Sequence, residues 1–78
     1  MNKRANNFMK NFIRLRVIHE ANYIVQENAT IRQAAYEFGV GKSTVHKDMV
    51  VRLPDIDQGL YSEVMNVLSY NKSNRHIR

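Results

Sequence analysis

An all-α fold of about four helices is what the sequence predicts, and three observations predict it. Apolar residues recur at spacings of three and four along most of the chain, with no strand-like alternation. Helix start and stop signals punctuate that pattern at Thr30, Gly39, Pro54 and Asp57. At 78 residues, with only three glycines and one proline, the chain has room for one small helical domain. It is too short for a Rossmann fold, a TIM barrel or a two-domain cleft, which excludes most metabolic enzyme architectures.

The first helix reads over residues 9–27. Met9, Ile13, Val17, Ala21 and Ile24 form its stripe, with Ile18 and Val25 beside them. Glu27-Asn28-Ala29 breaks the pattern. Thr30-Ile31-Arg32-Gln33 is a capping box, in which the Thr hydroxyl accepts from the Gln33 N–H and the Gln33 side chain accepts from the Thr30 N–H. A second helix therefore starts after Thr30, burying Ile31, Ala34, Ala35 and Phe38 on one face. Gly39 ends it, in a left-handed cap where a Cβ would be strained. A third helix is expected over 42–52, with Val45 and Met49 inward, Leu53 at its end, and Asp48 and Arg52 paired on its surface for about 0.3–0.5 kcal/mol. Leu53-Pro54 should stop it, because Pro disfavours helical geometry in the residue before it. Asp57 then caps a fourth helix, roughly 58–71, whose stripe is Leu60, Val64, Val67 and Leu68 with Tyr61 on its flank. Residues 1–71 thus form the helical domain, and 72–78 a basic C-terminal segment.

The two middle helices are joined by Gly39-Val40-Gly41 alone. A short turn led by Gly, after a helix with a small residue at its crossing point, is the helix-turn-helix arrangement. Ala35 is small where the axes cross, Val40 plugs the turn, and Val45 packs back on Ala35 and Ile31. An ordinary helical hairpin shares the outline. The basic second helix favours the DNA-binding form, in which that helix enters the major groove.

Charge points the same way. Twelve Lys and Arg stand against seven Asp and Glu, a net +5, with a pI near 9.9. The bias is blocked: Lys3, Arg4, Lys10, Arg14 and Arg16 at the start, Lys42, Lys47 and Arg52 in the third helix, Lys72, Arg75 and Arg78 at the end. Such blocks read as a footprint for a polyanion. With no cysteine there is no disulfide, thiolate zinc site or thiol nucleophile. His19, His46 and His76 are scattered, the acids show no catalytic pairing, and no metal, cofactor or enzymatic activity is expected. No apolar run approaches the ~18 residues of a membrane span. No apolar stretch of a secretory signal follows the basic N-terminus. A cytoplasmic, nucleoid-associated protein is expected.

Gly41-Lys42-Ser43-Thr44 mimics the end of a phosphate-binding P-loop, but the first glycine of that pattern would fall at Tyr36, and the preceding segment has helical rather than strand periodicity. It reads instead as the start of a recognition helix.

The run from Tyr36 through Gly39-Val40-Gly41-Lys42-Ser43-Thr44-Val45-His46-Lys47 to Asp48 resembles the stage III sporulation protein D family of sporulation transcriptional regulators. Tyr23-Ile24-Val25-Gln26-Glu27, Arg52-Leu53-Pro54-Asp55-Ile56, Leu68-Ser69-Tyr70-Asn71-Lys72 and Arg75-His76-Ile77-Arg78 agree with other segments of that family. The resemblance covers about residues 12–78. It gives no counterpart to Met1–Asn11, places Gly41 where the family usually has Ser, and implies a further basic tail beyond the position of Arg78. It also implies that two regions meet DNA, the recognition helix and the C-terminal segment.

The candidate site follows. Lys42, Ser43, His46 and Lys47 face outward on the third helix, suited to base edges and phosphates, with Thr44 near a phosphate. Lys72, Arg75, His76 and Arg78 would grip adjacent DNA. No heptad repeat supports a zipper and the apolar stripe of the fourth helix is needed for the core, so a monomer on double-stranded DNA is expected. The competing reading is an interaction module whose amphipathic segment 8–18, with Phe8, Met9, Phe12 and Leu15 beside Lys10, Arg14 and Arg16, meets a partner or an anionic bilayer.

Overall fold

A computed structural model describes residues 3–74, with side chains described over residues 11–71. The chain forms α1 (Lys3–Glu27), α2 (Ile31–Phe38), α3 (Lys42–Lys47), a wide π-turn (Asp48–Arg52), α4 (Leu53–Ile56) and α5 (Gln58–Asn74). There is no strand among the described residues.

Local signals set most boundaries. α1 ends where Asn28 takes a left-handed φ of 53°, which lets the Ala29 N–H donate to the Ile24 carbonyl at 3.0 Å. The Thr30–Gln33 capping box forms in full, with bonds of 2.9 and 3.1 Å. Gly39 takes φ 67°, and its N–H donates to the carbonyls of Ala35 and Tyr36. Val40 N–H closes on the Ala35 carbonyl at 3.1 Å. The Asp57 carboxylate accepts from the Leu60 N–H at 3.0 Å, starting α5.

Leu53-Pro54 does not stop the third helix, contrary to expectation. The chain stays helical from Lys42 to Ile56 and widens over 48–52, where the Leu53 N–H reaches back five residues to the Asp48 carbonyl. In a regular α-helix Pro54 would leave the Val50 carbonyl without its N–H partner and press its ring against it. The shift to five-residue bonding falls on the turn that needs relief. Pro54 then sits in the first turn of α4, where its fixed φ suits helical backbone.

One core joins these elements. Val17, Ala21 and Ile24 from α1 meet Ala29, Ala34, Ala35, Val45, Met49, Leu53 and Val64, all buried. Burial contributes roughly 1.5–3 kcal/mol for each large aliphatic side chain. Among the described side chains of α5 only Val64 is fully enclosed, while Leu60, Tyr61, Val67 and Leu68 pack half-buried around it. Tyr23 meets Phe38 edge-on at 5.7 Å and ties α1 to the end of α2. The Asn71 amide donates to the Asn28 and Ala29 carbonyls at 3.2 and 3.1 Å, fastening α5 to the α1–α2 loop.

Candidate nucleic-acid interface

α3 begins at Gly41, whose backbone is extended (φ −73°, ψ 154°) and which has no side chain to cap the helix. From there the pattern divides cleanly. Val45, Asp48 and Met49 are fully buried, whereas Lys42, Ser43, His46 and Lys47 are exposed and Thr44 is half-buried. The four exposed residues share the outward side of one helix, because positions three and four apart are neighbours on a helical surface, which sets His46 beside Lys42 and Ser43, and Lys47 beside Ser43. Val50 extends this face, four residues beyond His46 and 39% exposed. Its place in the helical spacing was the signal that could have added it to the candidates.

The side chains of Lys72, Arg75, His76 and Arg78 lie outside the described residues, as do those of Phe8, Met9 and Lys10. The backbone of Lys72 belongs to α5. Gly41-Lys42-Ser43-Thr44 follows a helix and opens a helix, so it lacks the strand a P-loop requires. Among the described residues no group of three or more His, Cys, Asp or Glu gathers to hold a metal. No helix among them is long and apolar enough to cross a membrane.

Behind the exposed face lies a charged network that the sequence reading misplaced. Asp48 and Arg52 do pair, at 2.8 Å, but not on the surface, because the Asp48 side chain has no solvent exposure. Arg16 of α1 adds a two-pronged grip, Nε to Oδ2 and a terminal nitrogen to Oδ1, each 3.1 Å. Glu20, also fully enclosed, lies one turn from Arg16. Burial alone would raise the Asp48 carboxyl. Hydrogen bonds from Arg16 and Arg52, with the neighbouring Glu20 carboxyl and the charge of Arg16, outweigh it and hold the group below the usual carboxylate range. Burial pushes Glu20 up to about 8, helped by the neighbouring Asp48. Glu20 and Asp48 share this network, and both are sealed from solvent.

This arrangement anchors the exposed helix face to α1 from beneath. Glu20 stands in the stripe Val17, Glu20, Ala21, Ile24, and Asp48 in Val45, Asp48, Met49. An acid at a core position of an amphipathic stripe is the sequence signal for such a network.

Gly41 supports one prediction. A Cβ there would meet only Thr44 Oγ1, at an ordinary 3.7 Å. Gly41→Ser should supply the missing cap and raise stability by a few tenths of a kcal/mol, read as a higher urea midpoint with an unchanged slope.

A family model described as Stage III sporulation protein D matches residues 10–78. The Stage III sporulation protein D of Bacillus subtilis (strain 168) is 50% identical over 70 residues, which are 90% of this chain and 75% of that protein. No solved structure gives a significant match. With its helical architecture and a family match over most of its length, the chain belongs to the Stage III sporulation protein D family.

Proposed function

We propose that this sporulation protein is a sequence-specific, double-stranded-DNA-binding transcriptional regulator of sporulation genes, acting in the cytoplasm on the nucleoid and not as an enzyme. One observation carries the reading. A helix-turn-helix pair, α2 and α3, holds Lys42, Ser43, His46 and Lys47 exposed on the outer side of its second helix while Val45 and Met49 seat the inner side. Lys42 and Lys47 suit guanine O6 and N7, Ser43 and His46 suit several bases, and Val50 suits a thymine methyl. Thr44, half-buried, suits a phosphate. Lys72, Arg75, His76 and Arg78 serve the adjacent backbone or minor groove. The apolar stripe of α5 is turned into the core, which supports a monomer on a short asymmetric site.

Competition gel shifts at several salt concentrations test this division. His46→Ala or Lys47→Ala should weaken binding to the preferred duplex more than to random duplex. Replacing Lys72, Arg75 and Arg78 together by Ala should weaken both alike and flatten the salt dependence by roughly 0.9 log units for each phosphate no longer neutralised. A triple variant that lost sequence preference alone would reverse the assigned roles. A stable dimer by light scattering, or two-fold symmetric selected sites, would overturn the monomer.

One observation favours the second reading. Phe12 and Leu15 are 60% and 56% exposed on α1, with Arg14 exposed beside them. Co-sedimentation with anionic liposomes, without a shift of any duplex, would establish a membrane-facing module instead.

A further inference from the structure

Glu20 is fully buried, and neither of its carboxylate oxygens has a hydrogen-bond donor among the described residues. An ionised carboxylate only accepts, and burying one with no donor is among the most unfavourable arrangements a core can hold. The donors nearby are engaged elsewhere. Both prongs of Arg16 and the near nitrogen of Arg52 bond Asp48. Arg16 Nε stands 3.6 Å from Glu20, beyond hydrogen-bond reach. Asp48 in turn has about four acceptor sites. Oδ1 receives two guanidinium N–H groups and Oδ2 receives one, so a single site on Oδ2 remains open.

We infer that Glu20 is a positioning residue for α3, held as the neutral acid so that its hydroxyl donates to the open site on Asp48. The inference rests on the DNA-binding reading only for what α3 contacts. A proton shared between α1 and the π-turn then completes the joint that sets the exposed face of α3 against the body. Among the described residues the charged groups acting on Glu20 are Asp48, Arg16 and Arg52. With Glu20 neutral these leave the cluster one positive charge. The two guanidiniums carry it, at 27% and 35% exposure, where water solvates it.

The pH dependence follows from the upward shift of Glu20 to about 8. The native state holds a proton that the unfolded chain releases near the ordinary value of 4.5. The stability it contributes is complete below that value and lost as pH rises through about 8.

Carbon-13 titration of the glutamate side-chain carboxyls in the wild-type protein tests the proton directly. Glu20 should keep its acid-form shift at pH 6.5 and move with a midpoint near 8. An ionised shift throughout pH 6–9 would overturn the inference. Backbone amide shifts over residues 42–52 test the positioning. They should titrate with Glu20 in the wild type and stay flat above pH 7 in Glu20→Gln, whose amide N–H replaces the hydroxyl at every pH. Amides that ignore the Glu20 titration would show a proton that positions nothing, and would also overturn it. DNA provides the third readout. Wild-type affinity for the preferred duplex should fall several-fold more than that of Glu20→Gln between pH 7 and 9, and parallel profiles would deny the joint any role in DNA contact. Both NMR readouts stand without DNA, so a protein that bound no duplex would refute the DNA-binding reading separately.

Discussion

Asp48→Ala is expected to remove about 3 kcal/mol of stability at pH 7. Breaking a buried ion pair by deleting one partner typically costs about 3–5 kcal/mol, because the remaining charges lose their compensation. Here three donated hydrogen bonds vanish at once, two from Arg16 and one from Arg52. Both guanidiniums remain partly hydrated, at 27% and 35% exposure, which places the loss at the lower end of that range. A domain of this length has roughly 4–12 kcal/mol in total, so the variant should be close to its unfolding transition at physiological temperature. Urea unfolding followed by far-UV circular dichroism measures the loss directly. A change below about 1 kcal/mol would mean that water replaces Asp48 for both arginines. Acid works in the same direction on the native protein. The folded Asp48 titrates below the usual carboxylate range, so its contribution is present above the unfolded value and is lost as pH falls through the depressed one.

Ala35→Leu should cost about 1–3 kcal/mol through overpacking. Ala35 is 7% exposed and lies where α2 meets α3. Its carbonyl also receives the N–H groups of Gly39 and Val40, which close the turn between those helices. Three added carbons at that crossing push α3 outward or strain the turn. In a domain this small each kcal/mol shifts the melting temperature by about 4–8 °C. DNA affinity should fall at temperatures where the variant is still folded, because the exposed face of α3 is displaced along with its axis. Calorimetry paired with gel shift at 20 °C separates the two effects. An unchanged melting temperature would count against the close α2–α3 crossing.

The features legible in the sequence were those written into a few adjacent residues. The Thr30–Gln33 capping box, the left-handed Gly39 and the Asp57 cap each depend on backbone and side chain within three positions. The outward face of α3 was equally legible, because helical spacing alone separates His46 and Lys47 from Val45 and Met49. Two features were not. The chain continues helically through Leu53-Pro54 because a π-turn relieves the clash of the proline with the preceding turn, and Leu53 keeps α dihedrals (φ −59°, ψ −43°) against the tendency of a residue before Pro. The union of Arg16 with Asp48 spans 32 residues and depends on how α1 packs across the π-turn, which no local spacing specifies. The clue that remained was negative: Glu20 and Asp48 sat where the stripes of their helices called for apolar side chains. Val50 lies within an apolar run, Met49-Val50-Val51, where composition does not mark it as exposed.

The two hydrogen bonds from Asn71 bear on residence time in the proposed complex. They fasten the last turns of α5 to the α1–α2 loop, and Lys72, the first residue of the basic segment, lies within α5. The C-terminal basic segment therefore starts from the same rigid body that presents α3. Once α3 has seated, engagement by the segment is a unimolecular event, at an effective concentration on the order of millimolar for a short tether. Release requires both grips to open together, so the gain falls on the dissociation rate while the rate of encounter is left nearly unchanged. The monomer proposed above would, tethered in this way, stay on its site through the transient opening of either grip.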